Sequence, residues 1–195
     1  MSGGKAKPGK TLGNGPPEGQ PWIWTTTAMF GSITFRALSI NARRILDFLQ
    51  NEHALNAGKA NGSLGATYRQ LAVWGVTAAD ARKGFEELYV TGFVRLTAQG
   101  MRQAGGGEPS RYALTWLPTG VGTREAAPPS HDWQLVLRRI GKEGVGSVAQ
   151  AKCWLKAEVA GVKRGWTVRA RPDTTSQLQV VSPLKCERSK AREAA

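Results

Sequence analysis

The stretch LAVWGVTAADARKGFEEL, residues 71–88, limits what this chain can fold into more than any other. Two segments of helical character are separated only by Gly75 and Val76, and Thr77 stands where the second one needs a cap. Each start carries its own capping pattern. Thr67 precedes Gln70 in TYRQ, and Thr77 precedes Asp80 in TAAD, so hydroxyl and N3 side chain can satisfy the orphan amides of each first turn. Helices joined by so short a turn must cross steeply, a geometry that presents one of them outward. The second helix runs through ADARKGFEELYV to a stop at Gly92. Its period places Ala81, Phe85 and Leu88 inward and Ala79, Arg82, Lys83 and Glu86 outward.

The flanking sequence supplies the rest of a domain. Ser39 is placed to cap a helix in INARRILDFLQNEH, on which Ile45, Leu46, Leu49 and His53 share a face. NAGKANGSL reads as a loop that ends in a short strand around residues 63–65. After Gly92, FVRLT and RYALTWL alternate as strands do, joined by the glycine-rich AQGMRQAGGGEPS, and Pro118 ends the hairpin. These elements predict an α+β domain over residues 21–118. Trp74, Trp116 and Trp154 are expected in a core or an interface, while Trp22, Trp24 and Phe30 suit either core closure or self-association.

Outside that domain the expectations are simpler. Residues 1–20 are rich in Gly, Pro and Lys and read as a disordered basic arm. GVGTREAAPPS marks a linker over 119–130. Residues 131–183 read as a small basic α+β unit: HDWQLVLRRI is a helix or a strand, SVAQ opens a helix with Val148, Leu155, Val159 and Val162 aligned, and WTVRAR with SQLQVV forms a second hairpin. A flexible tail occupies 184–195.

Charge points to a polyanionic partner. Lys and Arg number 27 against 14 acidic residues, for a formal charge of +13 and a pI near 10.4. Cys153 and Cys186 have no CxxC spacing and read as reduced thiols, which with the absence of a signal-like or membrane-spanning run implies a cytoplasmic protein. His53 and His131 lack ligand-spaced neighbours, so no metal is expected. GKANGS and GKEGVGS lack the phosphate-loop order, and no nucleophile, acid or base constellation is present. The expectation is a protein that is not an enzyme, with no cofactor, no small-molecule substrate and no membrane partner.

FRALSINARRILDFL, NGSL, TYRQLAVWGV, ELYVTGFVRLT and YALTWLP together resemble the winged helix-turn-helix family, and more closely its small bacterial members associated with mobile elements. The resemblance covers about half of the chain, and it implies a winged helix-turn-helix fold with the helix over 78–90 in a DNA major groove. Thr77 and Ala79 then open the reading helix, Arg82 reaches a guanine edge, Lys83 lies beside it, and Tyr68 and Arg69 meet phosphates. Arg95, Arg102, Gln103 and Arg111 lie on or beside the wing. Residues 61–130 carry a net charge of only +2 by count, whereas residues 131–195 carry +7. There Lys156, Lys163, Arg164, Arg169 and Arg171 flank Trp154 and Trp166, a pattern suited to phosphate contacts. The expected function is sequence-specific binding of double-stranded DNA in transcription regulation, the wing domain choosing and the C-terminal unit holding. The alternatives are a replication-initiation or excision accessory of a mobile element, and a protein-interaction wing with an RNA-binding C-terminal unit. A homodimer is left open.

Overall fold

The computed structural model describes residues 21–101 and 107–162. Most helices in it start at a hydroxyl cap. Thr26 precedes α1 (Thr27–Gly31), Ser32 precedes α2 (Ile33–Ala37), and Ser39 precedes α3 (Ile40–Leu55), each side chain accepting a backbone N–H of the first turn. The face expected on α3 is the buried one, with Ile45, Leu46, Leu49 and His53 all inside. A short strand, β1 (Leu64–Gly65), leads to α4 (Tyr68–Val73), where Thr67 and Gln70 complete the capping box.

The turn into α5 (Ala78–Val90) has Gly75 at φ +74°, which an L side chain adopts only with strain. Thr77 caps α5 by accepting the Asp80 N–H at 3.2 Å, but the expected box is only half made. Asp80 is one methylene shorter than Gln70, and its carboxylate accepts from the Thr77 hydroxyl at 2.8 Å instead of reaching back to the Thr77 amide. The chain then forms β2 (Val94–Ala98) and β3 (Arg111–Leu114). The antiparallel sheet has the order β1-β3-β2, pairing Leu64 with Tyr112 and Val94 with Leu114, and its register shifts between Leu96 and Ala98.

One apolar core joins these elements. Ile45, Leu46 and Leu49 of α3, Leu71 of α4, Val76 of the turn, Ala81 and Leu88 of α5, and Phe93, Leu96 and Leu114 are all buried in it. Helices α3 and α5 meet closely at Gly84, where an added Cβ would come within 2.5 Å of Ile45 Cδ1. Beneath the sheet, the buried Asn61 side chain donates to the carbonyls of Leu114, Leu117 and Pro118 and accepts the Leu114 N–H at 2.7 Å. It thereby ties the loop before β1 to the end of β3, a role that the reading of NAGKANGSL as a plain loop did not include.

The remaining described segments differ from expectation in their attachment. Residues 119–130 are not a free linker: Thr119 and Ala127 exchange backbone hydrogen bonds of 2.9 Å each, and the His131 N–H donates to Thr115 at 2.9 Å. A stretch whose one large apolar residue, Val121, is exposed can still be held by its own backbone groups. HDWQLVLRRI is a helix, α6 (Asp132–Lys142), followed by α7 (Val148–Gly161) with its full capping box at Ser147 and Gln150. Nor do residues 131–162 form a unit of their own. Trp133 stacks on Phe93 with centroids 6.2 Å apart, Leu155 joins the same core, and α7 rests on α2 and α5. These helices bury too little apolar surface alone and complete the larger core instead.

Of the tryptophans, Trp116 is buried and donates through Nε1 to the Trp24 carbonyl at 2.9 Å, whereas Trp74 and Trp154 are half-buried. Trp22, Trp24 and Phe30 remain exposed. Among the described residues, no helix is long and apolar enough to cross a membrane. The expected arm over 1–20, the second hairpin, Trp166, Cys186 and the tail lie outside the described residues.

Candidate nucleic-acid interface

Helix α5 carries its exposed polar side chains in its first half. Ala78, Ala79, Arg82 and Lys83 are exposed, whereas Gly84 through Leu88 are buried without interruption. Glu86, expected outward, is only 8% exposed. Arg82 folds over it, and the Nε of its guanidinium lies 2.8 Å from the Glu86 carboxylate. The two terminal nitrogens of Arg82 make no hydrogen bond or ion pair among the described residues, so the side chain is held in place while their four N–H groups stay available. Glu87 is buried too, and its carboxylate accepts the Ser39 N–H at 2.9 Å.

Beside this half of α5, a groove of about 580 Å³ runs between the α4 and α5 starts and the hairpin. Phe85 and Tyr112 stack at 4.3 Å along it, and Thr67, Tyr68, Arg82 and Met101 also line it. Burial pushes the Tyr112 hydroxyl up to about 12, so it stays protonated across the physiological range. Tyr68 is 61% exposed and Arg69 is exposed next to it. Thr77 and Ala79 stand at the α5 start, as expected.

The hairpin residues are placed differently from one another. Val94 and Leu96 are buried on the core face, and Arg95 stands between them on the opposite face, half-exposed. Arg111 is exposed but tethered, since its guanidinium donates to the Ser63 carbonyl at 3.1 Å across β1. Arg102 and Gln103 lie outside the described residues, as do Lys163, Arg164, Arg169 and Arg171.

Sequence reasoning missed what α7 brings to this region. A cleft of about 410 Å³ opens between α5, α7 and the start of α3, lined by Lys83, Glu87, Lys152 and Lys156 over Leu38 and Leu155. Lys152 and Lys156 are four residues apart, which alone says that they share a face. Which element that face meets is a matter of packing that no local spacing carries. On the other side of α7, Arg139 of α6 reaches Glu158 at 3.2 Å and lies over the Trp154 ring.

No group of three or more His, Cys, Asp or Glu side chains among the described residues is arranged to hold a metal ion. No family model matches the chain, and neither a curated protein nor a solved structure matches it.

Proposed function

We propose that the protein is a cytoplasmic, sequence-specific binder of double-stranded DNA, a winged helix-turn-helix regulator that docks the first half of α5 in the major groove. The observation that carries this reading is the division of α5 into an open, capped first half and a sealed second half. Recognition helices of this kind read bases with their N-terminal residues, so an exposed Ala79 and Arg82 on a firmly seated helix, with Lys83 beside them, suit that role. Arg82, oriented through Nε by Glu86, keeps the terminal nitrogens that pair with a guanine edge, and Ala79 suits a thymine methyl. The order α3, β1, α4, α5, β2, β3, with β3 between β1 and β2, supports the winged arrangement. Tyr68 and Arg69 at the α4 start, and Arg95 on the outer face of the hairpin, take phosphates.

The test is selection from a randomised duplex library, followed by fluorescence anisotropy on the enriched duplex and a scrambled one across a salt series. Enrichment of one sequence, bound more tightly than its scramble as salt rises, is the expected result. Arg82→Ala should cost about 1–3 kcal/mol at the enriched site and far less at the scramble. Equal binding to both duplexes would reduce the interaction to phosphate contacts and overturn sequence reading.

A further inference from the structure

We infer that α7 is a second DNA-contacting element, in which Lys152 and Lys156, together with Lys83 of α5, grip the phosphate backbone bordering the groove that α5 enters. This rests on the DNA-binding reading above. The charges themselves call for a partner. Lys152 and Lys156 stand one turn apart on α7, and like charges at that spacing repel. Neither they nor Lys83 form an ion pair with any described acidic residue. The carboxylate that lines the cleft with them, Glu87, is 6% exposed and already accepts the Ser39 N–H.

The lysines are also held where they are by something other than charge. Leu155, between them in sequence, is buried in the core, and Leu38 forms the cleft floor with it. Apolar packing therefore brings three cations together at an exposed surface, and the cleft continues directly onto the outward row of α5 through Lys83, next to Arg82.

Groove dimensions then assign the phosphates to α7. The major groove is roughly 12 Å wide, and a helix with its side chains is about 10–12 Å across, so one helix fills it. Packed helices lie about 8–10 Å apart. With α5 in the groove there is no room for α7 beside it, and because Lys152 and Lys156 share the cleft with the exposed Lys83 of α5, we place them at the groove wall, which is a row of phosphates. A point charge on a flexible stem suits that contact better than base reading.

The full-length chain and its Lys152→Gln/Lys156→Gln variant would be compared by anisotropy on the enriched and scrambled duplexes across the same salt series, with a thermal melt of each protein. The expected result is an unchanged melt, weaker binding to both duplexes by the same factor, and an unchanged preference between them. The slope of log K against log salt should become shallower by about 1.8, at about 0.9 per phosphate contact. Lys152→Glu/Lys156→Glu should weaken both duplexes further. An unaltered slope and affinity in the glutamine variant would overturn the role of α7 while leaving α5 as the reader. A loss confined to the enriched duplex would overturn it too, because that is base readout. Failure of the unmodified chain to bind any duplex would overturn the DNA-binding reading first, and this inference with it.

Discussion

The two halves of α5 share one helix and one amphipathic period, yet they do different work. From Ala78 to Lys83 every residue but Asp80 and Ala81 is exposed, whereas Gly84 to Leu88 are buried in a helix that packs on α3, α4, β2 and α7. In the sealed half even the two glutamates are closed in, each with a stated partner: Arg82 for Glu86 and the Ser39 N–H for Glu87. A buried charge without such a partner would cost several kcal/mol, so the partners let this half act as an anchor. The lesson is that the sealed half is fixed by the core, while the open half is held out at the surface by it.

The largest effect that would break this comparison lies in the anchor. Leu88 is 0% exposed, and Leu88→Ala should remove about 2–5 kcal/mol of stability in a denaturant titration. Glu87→Ala leaves the Ser39 amide unpaired at the α3 start and should cost about 1–3 kcal/mol. Lys83→Ala and Ala79→Ser, one and about two turns back in the open half, should shift stability by no more than about 0.5 kcal/mol. A destabilisation by either as large as that of Glu87→Ala would erase the distinction between the halves.

Acidification gives the smallest effect and probes the far end of α3, the helix on which α5 packs. His53 is buried, with Nδ1 lacking a hydrogen-bond partner, and burial holds its pKa below the ordinary 6.5. The folded chain therefore favours neutral His53. Its contribution to stability is whole above about pH 6.5 and declines as pH falls below that value, where the unfolded chain takes up the proton first. His53→Leu should flatten that decline in a melting series between pH 7 and 5, and an unchanged profile would sink this account.

Much of the open half was legible from residue order. Thr77 before ADAR marks a helix start, and the 3.6-residue period sorted Ala79, Arg82 and Lys83 from Ala81, Phe85 and Leu88 correctly. Glu86 defeated the same period, because its burial depends on where the long Arg82 side chain comes to rest. Asn61 was illegible for another reason. Its partners Leu114, Leu117 and Pro118 are more than fifty residues away in the chain, and nothing in NGSL announces them. Gly92 spans the two cases: its helix-stop role was evident, but the Asp132 and Trp133 backbone that would lie 2.8 Å from an added Cβ was not.

By itself, then, the sequence determined the caps of α3, α4, α5 and α7, the turn at Gly75, the hairpin and the α+β class. Those features rest on interactions within about four residues or, on β2, on the alternation of a strand, both written in local order. RYALTWL, expected to alternate, is instead buried continuously from Tyr112 to Leu117 and is strand only to Leu114. Only the tertiary structure decided that 119–130 is pinned, that α6 and α7 complete the main core, and that Lys152 and Lys156 stand beside Lys83. The physical reason is that apolar burial is non-directional: Trp133 and Leu155 required an apolar surface, and the one that Phe93 and the α2–α5 face provide was set by the packing of the rest of the chain.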